Sequence, residues 1–193
     1  MAHEPTAMNC WAPEIIFDEK QKEYLLFWAT TIPDRFVNKE QSGDGKYNHR
    51  MYCTTTKDFK TFSPTKLFYD PNFNVIDATI VKNGGKFLMF LKDETKVPVQ
   101  KNIKIAFADD LQSGFSAASE PITTNWVEGP TAIKINAKWV VYFDQYTRHK
   151  MGAIESADLK NWTDISDKIS FPEGTRHGTV FKVSEKEFKA LKP

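Results

Sequence analysis

Three stretches of the chain share one pattern of apolar and polar positions. Each contains two apolar runs joined by a short polar turn: EIIFDEKQKEYLLFWA (14–29), ATIVKNGGKFLMFLKD (78–93) and TAIKINAKWVVYFDQ (131–145). Gly84, Gly85 and Asn136 lie in two of these turns, and such residues tolerate the positive φ that a tight hairpin needs. A third apolar run follows each pair, as MYCTTT, IKIAFA or MGAIES. The pattern predicts three antiparallel strands in each stretch.

A degenerate repeat adds a turn to each stretch. The segments TTTKDFKTFS (54–63), FADDLQSGFS (107–116) and IESADLKNWT (154–163) share small residues, an aspartate, an apolar residue, a polar pair, an aromatic residue and a hydroxyl. A short fourth strand is expected after each turn. Four antiparallel strands repeating about every fifty residues are typical of β-propeller blades, which stack radially to bury both faces. We predict an all-β chain, one domain over 1–193, with blades at about 11–71, 74–123 and 126–172.

Two further segments receive separate predictions. HGTVFKVS (177–184) is predicted to be the innermost strand of another, unfinished blade, and the following SEKEFKALKP one or two exposed helical turns. The stretch 33–47 is rich in charge, Gly and Asn and is predicted to be a long surface loop. Such a loop either walls a binding site or is disordered decoration.

Composition and charge narrow the range of partners. The chain has 26 basic and 25 acidic residues, so no strong field would attract nucleic acid or an anionic membrane. It has no apolar run long enough to span a membrane, and MAHEPTAMNC has none of the features of a signal peptide. Cys10 and Cys53 are interpreted as small hydrophobic residues rather than as a disulfide. A neutral, polar or small partner fits best.

Conspicuous polar residues mark the start of each predicted innermost strand. They occur in WAPE (11–14), VIDA (75–78), VEGP (127–130) and RHG (176–178). In a propeller the innermost strands line a central channel, so Glu14, Asp77, Glu128 and His177 should be neighbours there. Any one of them alone could complete a turn or face solvent. The matched set favours a functional site.

The segments WAPEI, VIDATIV, WVEGPTAIK and RHGTVFKV, in this order and spacing, resemble glycoside hydrolase family 43 over residues 11–183. The resemblance implies a five-bladed β-propeller, here about three complete blades plus part of another. It also implies an inverting glycosidase of the arabinofuranosidase or β-xylosidase kind, acting on arabinose- or xylose-containing plant polysaccharides or oligosaccharides, as in xylan degradation. No cofactor is implied as required. Members are often secreted or periplasmic, and localisation stays open.

The resemblance also assigns roles to two carboxylates. Glu128 matches the general acid, and Asp77 matches the aspartate that orients this acid and raises its pKa by like-charge repulsion. An inverting enzyme further needs a general base about 6.5–9.5 Å from the acid. In the family the base is an aspartate of the first blade, usually before proline, but the match begins at the second blade. The general base is therefore not identified, and Asp70, which precedes Pro71 at the end of a blade, is not assigned to it.

Other residues are candidates for binding. His177 matches a histidine that contacts calcium through water, so a structural calcium ion is possible. The candidate substrate-binding residues are Trp11, Glu14, Phe36, Trp126 and Arg176, with core packing as the alternative for the three rings. His49 and Arg50 open the third strand of the first blade, where we expect them to be exposed, either in a site or as plain surface.

The missing blade leads to two further expectations. An open propeller exposes apolar sheet faces, which predicts a homo-oligomer, a chain cut from a longer precursor, or a partner that supplies the missing blades. The alternative function is a catalytically impaired, carbohydrate-binding propeller fragment without its general base. A propeller used only for protein contacts is a third reading, but it does not explain the acidic residues at the predicted channel.

Overall fold

Three antiparallel sheets make up the computed structural model of the chain, which describes residues 4–36, 43, 45–111 and 114–191. The first sheet contains β1 (Trp11–Asp18), β2 (Glu23–Thr30), β3 (Arg50–Thr56) and β4 (Lys66–Tyr69). The second contains β5 (Val75–Asn83), β6 (Lys86–Asp93) and β7 (Asn102–Ala108). The third contains β8 (Glu128–Ile135), β9 (Lys138–Gln145), β10 (Lys150–Ser156) and β11 (Thr163–Asp164). The predicted all-β class and the three hairpins are confirmed.

The second sheet lies between the other two and is buried on both faces. Alternate side chains of a strand point to opposite faces. On β6, Met89 and Leu91 join a core shared with the first sheet, whereas Leu88 and Phe90 join a core shared with the third. This double burial explains why β6 reads as a continuous apolar run instead of an alternating one.

The predicted fourth strand of the second stretch is wrong among the described residues. In its place, side-chain hydroxyls accept hydrogen bonds from β7 amides: Ser116 Oγ from Phe107, Ser119 Oγ from Ile105, and Thr123 Oγ1 from Ile103. These amides are satisfied without a regular ladder, so the segment can stay irregular. The corresponding strand of the third sheet, β11, is only two residues long.

The repeated aspartates complete turns in two of the sheets. Asp58 Oδ1 accepts the backbone N–H groups of Lys60 and Thr61, both at 2.8 Å. Asp158 Oδ1 accepts those of the residues two and three positions later, at 2.9 and 2.8 Å. The repeat is therefore a structural device that turns the chain from the third strand toward the fourth. The second copy includes residues 112 and 113, which lie outside the described residues.

The C-terminal segment differs from its prediction in one part. Residues 177–184 form no strand. Beside β8, the backbone N–H of Val180 donates to the side-chain Oγ1 of Thr131, at 3.0 Å, so a side chain takes the place of a ladder carbonyl. The predicted exposed helical turns are confirmed as α1 (Glu185–Ala190), which Ser184 and Glu187 close in a capping box. Within the described ranges, no helix has the length and apolar character needed to cross a bilayer.

Candidate active site

The first strand of each sheet begins with the same β-bulge. In β1, β5 and β8 the pairing register with the next strand shifts at this point. In each of these strands, the residue directly after the pair that precedes the shift has a positive φ: 47° at Ala12, 54° at Asp77 and 57° at Gly129. A bulge bends the strand and redirects its side chains. Here it turns the ends of three innermost strands toward one region.

The bulge corrects the predicted equivalence of the acidic residues. In the pairing register, Glu128 lies just before the bulge of β8, Asp77 lies within the bulge of β5, and Glu14 lies just after the bulge of β1. The true counterpart of Glu128 in the first sheet is Trp11. Three of the four predicted neighbours nevertheless converge, because side-chain atoms of Asp77, Glu128 and His177 all lie within 4.8 Å of one another, without Glu14.

Cationic partners hold both carboxylate oxygens of Glu128. Oε1 lies 2.8 Å from His177 Nε2 and 3.4 Å from Arg176 Nη2, while Oε2 lies 2.8 Å from Lys92 Nζ. Burial raises the pKa of Glu128, but the His177 hydrogen bond and the Lys92 ammonium outweigh burial and lower it to about 2. The hydrogen bond to Glu128 also raises the pKa of His177, against the effect of its own burial. Glu128 is therefore ionised in this arrangement, and the neighbouring imidazole holds its proton more tightly than a free histidine does.

Asp77 is the carboxyl group whose burial dominates. Only 8% of the residue is exposed, and its Oδ2 accepts the backbone N–H of Gly129 at 3.1 Å. Burial raises the pKa of Asp77, although the charges of Lys92 and His177 oppose this. The resemblance implies a raised pKa at Glu128. Glu128 has the lowered pKa in the structure, because His177 donates a hydrogen bond to it and because Lys92, whose position the motifs do not reveal, touches it directly.

Lys92 belongs to a buried chain of alternating charges. Its Nζ lies 2.8 Å from Glu128 Oε2 and 2.5 Å from Glu94 Oε2, and Glu94 also pairs with Lys101. The three side chains of Lys92, Glu94 and Lys101 are at most 13% exposed. Burial alone would lower the pKa of Lys92, but the two carboxylates outweigh it and raise that pKa. The positive and negative side chains of this row therefore compensate one another's charges inside the protein.

A second buried carboxylate lies directly behind Glu128. Asp144 pairs with Glu128 in the β8–β9 register and is fully buried. Its Oδ2 accepts from Arg176 Nε at 2.5 Å and lies 3.6 Å from His177 Nε2. Arg176 therefore bridges Asp144 and Glu128. The segment 176–177 is held over the carboxylates by these contacts.

A cavity of about 620 Å³ opens beside these charges. Its lining comprises Trp11, Ala12, Gly45, Tyr47, His49, Ile76, Asp77, Lys92, Glu94, Glu128 and His177. Three rings form one wall, with centroids 4.7 Å apart for Trp11 and Tyr47, 5.2 Å for Trp11 and His49, and 5.3 Å for Tyr47 and His49. Tyr47 and Gly45 come from the predicted loop 33–47, of which residues 37–42 and 44 lie outside the described residues. The part of the loop that is described does wall the cavity.

The expected exposure of His49 and Arg50 is wrong. They are only 1% and 5% exposed, because each finds a partner inside the protein. The backbone N–H and Nδ1 of His49 lie 2.8 and 2.9 Å from Asn74 Oδ1. Arg50 Nε donates to Asp70 Oδ1 at 2.5 Å. Asp70 is thus engaged by Arg50, which agrees with leaving it unassigned as a general base.

The remaining predicted site residues are distributed unevenly. Trp11 lines the cavity of about 620 Å³, and Glu14 lines an adjoining cavity of about 200 Å³, where it accepts from Thr179 Oγ1 at 2.9 Å. Phe36 lies outside both and lines a separate cavity of about 670 Å³, with its ring 4.6 Å from the Arg50 guanidinium carbon. Trp126 contacts Tyr146, whose ring faces Lys92 Nζ at 4.9 Å. Trp126 is therefore one ring removed from the 620 Å³ cavity.

Lys92, Glu94 and Asp144 are site residues that sequence reasoning missed. A signal was present, because FLMFLKDE (87–94) and WVVYFDQ (139–145) each place charged or polar residues directly after an apolar strand run. Lys92 and Asp144 also occupy matching register positions, opposite Ile76 and Glu128. An alignment of the second strands of the repeat would therefore have identified these two residues.

Asp77, Glu128 and His177 each offer one possible ligand atom for a metal ion, and these atoms lie within 4.8 Å of one another. The calcium ion expected near His177, held through water, stays a prediction. Calcium prefers six to eight oxygen ligands. Here the carboxylates of Glu128 and Asp144 already pair with Lys92 and Arg176, and the His177 imidazole contacts Glu128 directly. We therefore derive no step that uses calcium.

The chain belongs to the family of glycosyl hydrolases related to family 43. Residues 1–189 match the family model described as "Probable glycosyl hydrolase domain". An α-L-arabinofuranosidase of Bifidobacterium longum subsp. longum is 27% identical over 157 residues, which are 68% of this chain and 14% of that protein. The chain thus spans only 14% of the length of this curated relative.

Solved structures share the fold. A β-fructofuranosidase from Schwanniomyces occidentalis matches 83% of this chain and 34% of its own, with a TM-score of 0.65 and 17% identity. An exo-β-1,3-galactanase from Phanerochaete chrysosporium, solved with galactose, matches 81% and 35%, with a TM-score of 0.60 and 14% identity. A β-xylosidase matches 80% and 58%, with a TM-score of 0.59 and 12% identity. The chain thus spans about a third of the length of the first two.

Proposed function

We propose that the chain acts on the glycosidic bonds of neutral sugars, with the 620 Å³ cavity as its substrate site. The observation that carries the proposal is the convergence of Asp77, Glu128 and His177, from three separate segments, on one wall of this cavity. An aromatic wall with a few polar groups is typical of small-molecule sites. The proposal extends to a five-bladed propeller in which the three sheets are blades.

The catalytic roles follow from the family motif and from the contacts. Glu128 is the general acid and Asp77 the carboxyl group that orients it through the Gly129 amide. Because Lys92 and His177 keep Glu128 ionised, Glu128 must first gain a proton, and His177 is the donor in contact at 2.8 Å. The imidazolium passes its proton to Glu128, which passes it to the glycosidic oxygen as the C–O bond breaks. A water molecule forms the new bond to the anomeric carbon and gives its proton to a general base. The general base remains unidentified among the described residues.

We propose both a broad substrate class, neutral sugars, and a specific one within it. The relatives act, by their names, on arabinofuranosides, xylosides, galactans or fructofuranosides. An arabinose- or xylose-containing plant polysaccharide or oligosaccharide is the specific proposal, with a galactoside as the competitor. The cavity favours any neutral sugar, because its cations and carboxylates already compensate one another.

A binding function without hydrolysis is the second candidate. It is favoured by the ion pairs that hold Glu128 deprotonated. Loss of a general base costs a factor of about 10²–10⁴, so residual turnover distinguishes the two functions only by degree.

Partners of the exposed sheet face are also a proposal. Ile15, Phe17 and Phe59 of the first sheet and its turn are 42–50% exposed. Their exposure supports coverage by a second copy or by further blades.

The decisive experiment measures release of sugar from aryl α-L-arabinofuranoside, aryl β-D-xyloside and aryl β-D-galactoside. We expect Glu128→Gln to lower turnover of the preferred substrate at least about 100-fold, since it removes the proton donor. Glu120→Gln is the matched control, because Glu120 is exposed and lies outside the cavity. Equal turnover by the wild type and Glu128→Gln would refute the catalytic role. Sugar binding by both proteins without turnover would support the binding function.

A further inference from the structure

We propose that His49 determines specificity in the cavity by accepting a hydrogen bond from one hydroxyl group of a neutral sugar ring. This inference rests on the proposed function, in that it takes the cavity to be a sugar site. It adds a residue that the family motifs do not mark. It also predicts which kind of hydroxyl change the site rejects.

The orientation of Asn74 fixes which nitrogen of His49 carries the proton. Asn74 Oδ1 lies 2.8 Å from the His49 backbone nitrogen and 2.9 Å from Nδ1, and Asn74 Nδ2 donates to the Tyr47 carbonyl at 3.2 Å. A backbone N–H can only donate, so the atom facing it must be the amide oxygen. Nδ1 must then donate to the same oxygen, and Nε2 keeps a lone pair.

The loop helps to lock this amide in place. A Cβ on Gly43 would lie 2.1 Å from Asn74 Nδ2 and 2.7 Å from the Tyr47 carbonyl oxygen. Only glycine therefore allows the loop to pack directly on the Asn74 amide. Asn74, Gly43 and Tyr47 together hold the imidazole of His49 in a single orientation.

The free lone pair of His49 belongs to a buried ring that lines the cavity. The residue is 1% exposed, and its Nε2 has no hydrogen-bond partner among the described residues. Burial lowers the pKa of His49, against the opposing effect of its Asn74 hydrogen bond. The ring is therefore neutral near pH 7, and Nε2 is an acceptor. A buried acceptor without a partner is unfavourable, so this wall selects a ligand that brings a donor.

The surroundings of His49 identify the donor as a sugar hydroxyl. Trp11 and Tyr47 place their rings beside His49 and offer apolar faces to the C–H groups of a sugar. An anionic ligand is disfavoured, because Lys92 is already paired with two carboxylates. A cationic ligand finds Glu94 held between Lys92 and Lys101. A neutral sugar ring brings no charge that needs a partner, and one of its hydroxyl groups can donate to His49 Nε2.

The first test requires no ligand and no activity. Long-range ¹H–¹⁵N correlation spectra of the wild-type chain at pH 7 should show His49 as the neutral Nδ1–H tautomer. His49→Phe, which keeps a ring, assigns the signals, and His149→Asn is the control at an exposed histidine. An Nε2–H tautomer or an imidazolium at His49 would overturn the proposal, whatever the result of the hydrolysis assay.

The second test measures binding of methyl α-L-arabinofuranoside, methyl β-D-xylopyranoside and methyl β-D-galactopyranoside by calorimetry. For the best binder, each hydroxyl is replaced in turn by fluorine, which cannot donate. We expect one replacement to weaken wild-type binding about 10- to 100-fold, and the same replacement to have no effect on His49→Phe. Binding of this ligand should also shift the Nε2 signal.

The outcomes separate this inference from the proposed function. The inference fails if none of the three glycosides binds, or if His49→Phe loses the same factor as the wild type for every fluorinated sugar. Binding with the expected His49 dependence but without any turnover would leave the inference standing and refute hydrolysis.

Discussion

The charge of Lys92 is expected to set the ionisation of Glu128, and Lys92→Met tests this directly. Methionine preserves the length of the apolar stem and removes the ammonium group, whose Nζ lies 2.8 Å from Glu128 Oε2. Two unit charges about 4 Å apart interact by about 4 kcal/mol at an effective dielectric constant of about 20. This energy corresponds to a rise of about 3 in the pKa of Glu128. Lys92→Met should therefore raise this pKa from about 2 toward its ordinary value of 4.5, while the His177 hydrogen bond continues to lower it.

The same pKa has a consequence for stability. A carboxyl group whose pKa is lower in the folded than in the unfolded state stabilises the fold above the unfolded value, and this contribution is lost as the pH falls. For Glu128 the loss begins near pH 4.5 and is complete near pH 2. It amounts to about 3 kcal/mol in the wild type and should become smaller in Lys92→Met, which keeps only the His177 part. The variant should also be less stable at pH 7 by about 3–5 kcal/mol, because Glu128 and Glu94 lose a buried partner.

The assay is a ¹³C NMR titration of the glutamate side-chain carboxyl carbons, with Glu128→Gln used for assignment. Five charged or titratable side chains contact Glu128 or act on it electrostatically: Lys92, Asp77, Asp144, Arg176 and His177. Lys101→Met is the matched control, since it removes an equally buried ammonium that pairs with Glu94 and not with Glu128. A Glu128 pKa that stays near 2 in Lys92→Met, or that moves as far in Lys101→Met, would refute the reasoning. If Lys92→Met does not fold, a wild-type Glu128 that is half protonated near pH 4.5 refutes it equally.

Two further predictions follow from packing. Gly129→Ala should lower the free energy of unfolding by about 1–2 kcal/mol and shift the His177 ring signals, because φ is +57° and the new Cβ would lie 2.8 Å from the His177 ring. An unchanged melting midpoint and unchanged His177 signals would contradict this. Light scattering should give a mass above the 22.2 kDa of one chain, since Ile15 and Phe17 leave an exposed apolar face. A monodisperse monomer with a cooperative melt would show that this face needs no cover.

Sequence determined the sheets of this protein, because its signals for them are local. Apolar runs with turn residues between them set the hairpins, and the Asp58 and Asp158 turns repeat because each aspartate bonds amides two and three residues away. The same motifs located Asp77, Glu128 and His177, since an innermost strand can be recognised from its first residues.

Tertiary structure decided the electrostatics, because they depend on which second strand faces which first strand. His177 and Lys92, the latter from the neighbouring sheet, contact Glu128 and together reverse the pKa shift expected from like-charge repulsion. The burial of His49 depends on Asn74, 25 residues away, and on a loop that folds over both. The sequence could therefore place the carboxyl groups in one site, but only the packing of the sheets determined in which direction the pKa of each one shifts.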